Sequence, residues 1–575
     1  MSRRRGWRVW TALCAAALAA AGCTSTPPPA PPPTSVPPSP TAETTQDQIV
    51  IGVDSIAGGY NPHQLADMST TTTALAQLLL PSVYRLSPGG KYKLDKTLMR
   101  SVEVVDEDPF TVAYTVRQDA SWSDGAPIAA EDFRYLADQM RAQPGTISPA
   151  GYRLITDVQS REGGKRVEVT FAEKFPGWRG LFQNLLPSHL LKDIPGGWQE
   201  AMVGSYPASG GPYAIKTIDV GRGEILIERN ERYWEKPSAV DQLILRAADT
   251  EGPAEDLRNK NLQFSLTATD AKQLADLREL GKGVELHTVS SPQVAEVLLR
   301  PVTDPLADDK VREAVAALID RDELIETGTG GGPAAKLRAD AQVLAPSQRA
   351  YKSTLPSGRA KPNPARAEKL LRQAGYRRVA GEWQNADSEP LRLVVASPGE
   401  QEPYASIAER LVEQLEKAGI QAKAVQPNPR ELYAVDPADP DAEPIDDGTG
   451  DEVTVDVLVG PRAVSFDPAS DFASRFACRT VDTSDDADTD VEPGNVAGWC
   501  DQYLQARVED VLAGERSLRS ELSSLEPWLW RENVVIPLFQ LADTLAVGPD
   551  VAGVTEGPPF AGPFGSAVNW IRITE

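Results

Sequence analysis

The chain has 575 residues, 41% of them hydrophobic, which is enough material for two or three domains with cores of their own. Its formal net charge of −24 offers no basic footprint, so we expect no nucleic-acid partner. The three histidines, His63, His189 and His287, stand far apart in the sequence, and we expect no metal and no cofactor.

The N-terminus has the organisation of an export signal. Arginines at positions 3, 4, 5 and 8 precede an apolar run that is too short for a mature membrane span and ends at Cys23. The end of the run, AAGC, resembles a lipobox with alanine where leucine is usual; the alternative is an ordinary signal cleaved at an Ala-x-Ala site. We therefore expect residues 1–23 to be a lipoprotein signal peptide, Cys23 to carry lipid, and the protein to lie on the extracytoplasmic face of the cell membrane.

Residues 24–47 form a proline-rich tether that favours an extended conformation. At roughly 3 Å per residue such a tether spans several tens of ångströms. Once the signal is removed and Cys23 is lipidated, Cys478 and Cys500 are the remaining cysteines. In an exported protein this pair is expected to form a disulfide.

The first half of the mature chain alternates strands with one early helix. The apolar run at residues 48–54 predicts a buried strand, and residues 69–80 predict a helix. Period-two patterns predict half-buried strands around residues 110–116, 165–173 and 223–230.

The second half contains three well-punctuated helices. Residues 308–328 predict one helix, capped by Asp308 or Asp309 and ended by Gly328. The segments NPARAEKLLRQAGY and YASIAERLVEQLEKAGI predict two more, each ended by glycine. Strands at 391–397 and 456–460 flank the third helix, which indicates an α/β domain with parallel pairing. Two acidic stretches, 435–452 and 482–494, are predicted to be solvated loops.

The stretch SWSDGAPIAAEDFRY, residues 121–135, is dense in carboxylates and invites a catalytic interpretation. Asp124 before Gly125 is typical of a turn, and Glu131 with Asp132 suits the first turn of a helix. The chain has no GxSxG elbow and no P-loop, and the acidic run near 486 lacks the glycine and glutamate of an EF-hand. We therefore expect no enzyme activity.

Motifs spread from Ile49 to Trp570 occur in an order that resembles the family 5 extracellular solute-binding proteins, the peptide, dipeptide and nickel receptors of ABC importers. They are GYNPH, WSDGAPIAAEDF, SGGPYAI, ERNERYW, DDKVREAVAALIDRDEL, NPARAEKLLRQAGY and VIPLFQ. The resemblance implies an α/β, two-lobed periplasmic-binding-protein-like fold of type II, cluster C, with an extra domain inserted in the first lobe. Carried over, lobe I combines residues 46–88, 205–290 and 535–575, the inserted domain is 89–204, and lobe II is 291–534.

The resemblance also implies function: a monomer that binds its ligand by closing two lobes. NPHQLADMS, PAGYRLITDVQSREGGK, LLPSHLLKDIPGGW and the late cysteine pair resemble actinobacterial lipoprotein members, which implies a factor in phosphatidylinositol mannoside and lipoarabinomannan synthesis. The ligand would then be a phosphoinositol-mannoside-type glycolipid and the partners glycolipid-synthesis enzymes. The alternative is a peptide-import receptor with an ABC permease partner. A surface protein with a vestigial cleft and an envelope hydrolase are further alternatives.

One departure from the family pattern defines the candidate site. After the strand DVLVG, peptide-binding members carry a tryptophan and an aspartate that pairs with the peptide amine, whereas this chain has Arg462 and Ser465 near those positions. An arginine favours a phosphate or carboxylate over a cationic amine. Asp467 could replace the aspartate after a one-residue shift. The candidate ligand-binding residues are Met68, Ser69, Arg462, Ser465, Phe466 and Asp467.

Overall fold

The computed structural model describes residues 48–248, 252–435, 443–480 and 489–573. The candidate lipidation site Cys23 and the tether lie outside the described residues. Within the described ranges, none of the helices combines the length and the apolar character needed to span a bilayer.

The secondary structure mixes short strands and helices throughout. The strands are β1 (Gln48–Val53), β2 (Tyr84–Leu86), β3 (Tyr92–Leu94), β4 (Met99–Glu107), β5 (Phe110–Val116), β6 (Ile155–Arg161), β7 (Arg166–Phe171), β8 (Tyr213–Asp219), β9 (Glu224–Arg229), β10 (Gln242–Ala247), β11 (Phe264–Ala268), β12 (Glu285–Leu299), β13 (Arg377–Val379), β14 (Glu382–Gln384), β15 (Arg392–Ala396), β16 (Gln421–Val425), β17 (Ile445–Asp446), β18 (Glu452–Val453), β19 (Val457–Ala463), β20 (Cys478–Thr480), β21 (Thr489–Val491), β22 (Val535–Val547), β23 (Val551–Ala552) and β24 (Ile571–Arg572).

The helices are α1 (Thr70–Leu79), α2 (Ala130–Ala142), α3 (Ala150–Arg153), α4 (Ser188–Leu191), α5 (Gly197–Glu200), α6 (Pro253–Arg258), α7 (Ala271–Glu279), α8 (Asp309–Leu318), α9 (Arg321–Thr329), α10 (Pro364–Gln373), α11 (Tyr404–Lys417), α12 (Pro429–Ala434), α13 (Pro468–Phe476), α14 (Gln502–Leu512) and α15 (Leu518–Glu532).

A ten-stranded sheet runs through the molecule in the order β16-β15-β19-β12-β22-β11-β1-β10-β9-β8. Its two longest strands, β12 and β22, pair antiparallel along their lengths, with register shifts between Ser290 and Val294 and between Ala295 and Glu296. On one side of this pair, β1 pairs in parallel with both β11 and β10. On the other side, β15 pairs in parallel with β19. The parallel pairing predicted for the strands that flank α11 is confirmed.

A separate four-stranded sheet, in the order β4-β5-β7-β6, is formed by residues 99–171. Its core contains the rings of Tyr114, Phe133 and Phe182, whose centroids lie 5.0 to 5.8 Å apart. Of these, Tyr114 lies on β5, where the buried Phe110, Val112, Tyr114 and Val116 alternate with Thr111, Ala113 and Thr115, as the period-two pattern predicts.

Asp132, in the carboxylate-rich stretch, is hydrogen-bonded to three parts of the chain. Its carboxylate accepts hydrogen bonds from the Trp122 indole at 3.3 Å, from the Ala129 amide at 3.0 Å, and from the Ser188 amide and hydroxyl at 3.0 and 2.7 Å. Asp124 accepts from the Ala126 amide, as expected for a turn. These local contacts account for two of the carboxylates of this stretch.

The prediction of a single helix over residues 308–328 is wrong, because the chain forms α8 and α9 with a break at Ile319 and Asp320. The Gln414 side chain, on α11, accepts a hydrogen bond from the Asp320 amide at 2.9 Å and donates to the Asp320 carbonyl at 3.3 Å. The Asp320 carboxylate caps α9 by accepting hydrogen bonds from the amides of Asp322 and Glu323. Helix α9 ends not at Gly328 but at Gly330, whose φ of +51° is left-handed.

The prediction that residues 482–494 form only a solvated loop is also wrong for the part the structure describes. Strands β20 and β21 pair, and Glu492 is buried beside the Arg153 guanidinium at 2.5 Å. The predicted disulfide between Cys478 and Cys500 is present, with their Cα atoms 5.2 Å apart. The disulfide therefore closes this segment into a loop, and the buried ion pair anchors the loop to Arg153.

Candidate functional site

A cluster of buried charged side chains lies where β12, β19 and α13 face the segment 145–148. Arg475 on α13 donates to both carboxylate oxygens of Glu296 on β12, at 3.0 and 3.2 Å. The Nε of Arg462, on β19, lies 3.6 Å from Glu296 Oε2. The Arg462 and Glu296 side chains are 3% and 4% exposed, so this arrangement is shielded from solvent.

The backbone pairing explains how these side chains meet. Strands β12 and β19 are antiparallel, with Val294 opposite Arg462 and Glu296 opposite Gly460. Helix α13 begins at Pro468 after the Asp467 cap. Its residues 471, 474 and 475 lie on one helical face because they are three and four positions apart.

Arg462 is only partly satisfied by its neighbours. Its Nη1 donates to the carbonyls of Gln342 and Val343 at 3.2 and 2.7 Å. Within the described ranges, its Nε and Nη2 have no hydrogen-bond partner. Burial, together with the adjacent Arg475, lowers the pKa of Arg462 to about 10, which leaves the guanidinium charged at neutral pH.

Asp471 connects α13 to the segment 145–148. One carboxylate oxygen accepts from the Ser148 hydroxyl at 2.7 Å and the other from the Ser465 amide at 2.8 Å. Burial raises the pKa of Asp471 to about 6, although both hydrogen bonds oppose that change.

These side chains surround a small cavity of about 30 Å³. That volume holds about two water molecules. The cavity is lined by Leu65, Thr146, Ile147, Ser148, Glu296, Pro461, Arg462, Ala463, Asp471, Ser474, Arg475, Gly494 and Val496.

Of the six candidate ligand-binding residues, only Arg462 lines this cavity. The Ser465 hydroxyl accepts from the Asp467 amide at 3.0 Å, and the Asp467 carboxylate accepts from the Ala469 amide and the Ser470 hydroxyl. Phe466 packs on Phe560, with their ring centroids 4.8 Å apart. The structure thus gives Ser465 and Asp467 local roles in shaping the loop before α13.

The other two candidates lie at the start of α1. The Ser69 hydroxyl caps α1 by accepting from the Thr72 amide at 3.0 Å, and Met68 is half-buried against the core. Neither residue lines the cavity at Arg462 or a second cavity of about 20 Å³ near Thr70, Asp543 and Phe560.

The sequence interpretation missed the polar residues that line the cavity with Arg462: Glu296, Asp471, Arg475 and Thr146. One signal was available for Glu296, which is a carboxylate inside the apolar strand VAEVLL and therefore had to be paired if buried. The others carry no such signal, because polar residues on a helix or in a loop are ordinarily exposed.

Comparison with known proteins places this chain within a family. The profile described as bacterial extracellular solute-binding proteins, family 5 Middle, matches residues 93–451, more than half of the chain. The "probable monoacyl phosphatidylinositol tetramannoside-binding protein LpqW" of Mycobacterium tuberculosis is 32% identical over 610 aligned positions, covering 94% of this chain and 93% of that protein. The "oligopeptide-binding protein OppA" of the same organism is 25% identical over 378 positions, covering 64% of this chain and 62% of the relative.

The fold is shared with solved structures of low sequence identity. The oligopeptide-binding protein AppA from Bacillus subtilis, in complex with a nonapeptide, superposes with a TM-score of 0.70 at 16% identity, covering 92% of this chain and 100% of that one. The predicted two-lobed, periplasmic-binding-protein-like α/β fold is confirmed by this similarity. The chain therefore belongs to the bacterial extracellular solute-binding proteins of family 5.

Proposed function

We propose that this chain is a lipid-anchored, extracytoplasmic solute-binding protein that binds its ligand by closure of two lobes and does not convert it. The division implied by the family resemblance puts residues 46–88, 205–290 and 535–575 in lobe I, 89–204 in the inserted domain and 291–534 in lobe II. The course of β12 and β22 supports it, because these two strands join the two halves of the large sheet.

The observation that carries the proposal is the charged cavity at Arg462, which lies between these proposed units. Thr146 and Ser148 come from the inserted domain, whereas Arg462, Asp471 and Arg475 come from lobe II. The Ser148 hydroxyl donates to Asp471, and the Ala150 amide donates to the Ser474 hydroxyl at 3.1 Å. A ligand bound here would contact both sides and favour the closed state.

For the ligand, we propose a glycolipid with a phosphoinositol-mannoside head group. The similarity to LpqW over nearly the whole chain supports this choice, and a buried arginine suits a phosphate. The second candidate is a peptide, supported by the shorter similarity to OppA. Among the candidate residues we retain Arg462 for direct contact with the ligand, and we assign Met68, Ser69, Ser465, Phe466 and Asp467 to shaping the surrounding surface.

The experiment compares the two ligand classes directly. The purified protein is heated with phosphatidylinositol mannosides in detergent, with short peptides, or with detergent alone, and unfolding is followed by tryptophan fluorescence. We expect mannosides to raise the unfolding temperature and peptides to leave it unchanged. A shift with peptides alone would replace the glycolipid by the peptide hypothesis, and chemical conversion of either ligand would contradict binding without turnover.

The anchor and the partners require a separate test. We propose that Cys23 carries lipid, that the protein acts as a monomer, and that it works with glycolipid-synthesis enzymes or, in the peptide alternative, with an ABC permease. In cells, C23S should lose both incorporation of a palmitate analogue and membrane retention. Cross-linking from the cell surface would then identify which class of partner is captured, and recovery of neither class would contradict the partner proposal.

A further inference from the structure

Three buried donor groups without a hydrogen-bond partner, on two residues, lie at the same cavity. The Thr146 hydroxyl and the Nε and Nη2 of Arg462 make no hydrogen bond with any described residue, and both residues line the cavity. Thr146 is 1% exposed and Arg462 is 4% exposed. Because a buried polar group without a hydrogen-bond partner is unfavourable, two such residues at one cavity point to a bound group that supplies the missing partners.

Each carboxylate oxygen at the cavity already accepts a hydrogen bond. Both oxygens of Glu296 accept from Arg475, and the two oxygens of Asp471 accept from Ser148 and Ser465. The groups at the cavity that still lack a hydrogen-bond partner are therefore side-chain donors. A bound group that completes them must supply acceptor oxygens.

The charges agree with this chemistry. Two guanidinium groups, those of Arg462 and Arg475, face two carboxyl groups, those of Glu296 and Asp471. Burial raises the pKa of Asp471 to about 6, so this carboxyl group can take up a proton only slightly below neutral pH. An incoming anion would promote protonation of Asp471 by repelling its negative charge. With Asp471 protonated, the cavity carries one net positive charge, which balances an oxyanion.

We propose that this cavity is a subsite for one oxyanion, a phosphate or a carboxylate, held by Arg462 and the Thr146 hydroxyl. This inference rests on the proposed ligand-binding function and identifies the part of the ligand that this cavity holds. A cavity of about 30 Å³ admits the oxygens of one such group and no sugar ring, so the remainder of the ligand lies outside it. The site therefore has the opposite charge preference from one that pairs with a peptide amine.

The test uses the full chain and four probes: inorganic phosphate, acetate, inositol 1-phosphate and the dipeptide Ala-Ala. Isothermal titration measures each affinity for the wild type, T146V and R462M. We expect T146V to weaken binding of oxyanion probes about tenfold, the value for one hydrogen bond to a charged group. R462M should reduce binding below detection. Preference for inositol 1-phosphate over Ala-Ala would identify a phosphate source, and the reverse would identify a peptide carboxylate.

Two control variants separate binding from folding. T217V and R519M change exposed residues of the same types and should bind as the wild type does. T146V removes a hydroxyl without a partner, so its unfolding temperature should not fall, which keeps the test valid if R462M folds poorly.

Unchanged binding of every oxyanion in folded T146V would overturn the subsite, as would a wild type that binds none of the four probes. If a mannoside or longer peptide still bound T146V and R462M with wild-type affinity, the subsite and the contact with Arg462 would be wrong, while ligand binding by closure of two lobes would stand. Failure of the wild type to bind those larger ligands would instead contradict the proposed function.

Discussion

Arg430 and Asp67 form an ion pair at 2.6 Å that joins α12 to the 3₁₀ turn Leu65–Asp67. The Asp67 side chain is 1% exposed and that of Arg430 is 12% exposed. Arg430 also donates to Gln64 Oε1 at 3.0 Å, and the second Asp67 oxygen accepts from the Asn61 amide at 2.8 Å. In the division proposed above, this pair lies between the two lobes.

Removing this pair should favour an open form. R430M leaves Asp67 buried without its cation, and breaking a buried pair costs roughly 3–5 kcal/mol. We expect the radius of gyration from small-angle X-ray scattering to increase while the helical circular-dichroism signal is retained. R372M, which removes an exposed pair with Glu368, should leave the radius unchanged. Global unfolding of R430M with no expanded folded state would contradict a role in closure.

The disulfide should contribute substantially to stability. Cys478 and Cys500 are separated by 22 positions, and closing a loop of that length lowers the entropy of the unfolded chain by an amount worth about 3 kcal/mol. C478S/C500S should lower the free energy of unfolding in urea by about that amount. Reduction of the wild type should reproduce the loss, whereas an unchanged urea midpoint would show that the loop is held by its other contacts.

His63 should make the protein sensitive to mild acid. Burial lowers the pKa of His63 to about 4, even though its Nε2 lies 2.9 Å from the Asn184 carbonyl, which favours the charged ring. Because the pKa of His63 is lower in the folded protein, burial of the uncharged ring is tolerated fully above the unfolded-state pKa near 6.5. The free energy of unfolding then decreases as the pH falls toward 4. The loss amounts to about 3 kcal/mol across that interval.

The measurement is urea unfolding at several pH values between 7 and 4 for the wild type and H63Q. H63Q should lose the part of the pH dependence of the free energy of unfolding that His63 supplies. H287Q, which changes a partly exposed histidine, should retain that pH dependence. An NMR titration that placed the pKa of His63 near its ordinary value would contradict the prediction.

Asp132 should matter for stability far more than its neighbour Glu131. D132A leaves four donors, on Trp122, Ala129 and Ser188, without their acceptor, and we expect a loss of roughly 3–5 kcal/mol in the free energy of unfolding. E131A changes an exposed residue and should cost under about 0.5 kcal/mol. Urea denaturation measures both, and similar losses for the two variants would show that the buried contacts of Asp132 contribute little.

Local sequence determined the elements that depend on contacts between near neighbours. The caps of α1 and α10, at Ser69 and Asn363, were predictable because each side chain bonds an amide three positions later. The break between α8 and α9 was not, because the apolar pattern continues through it and the Gln414 side chain that stabilises it lies 94 residues away.

For the site, the sequence by itself identified the family resemblance and singled out Arg462, since an arginine there departs from the family pattern. It could not show that Glu296, Arg475 and Asp471 surround that arginine or that Thr146 faces the same cavity. These residues come from strands, a helix and a loop far apart in the chain. Only the pairing of β12 with β19 and the packing of α13 against residues 145–148 bring them together, because burial and charge balance are properties of the folded neighbourhood.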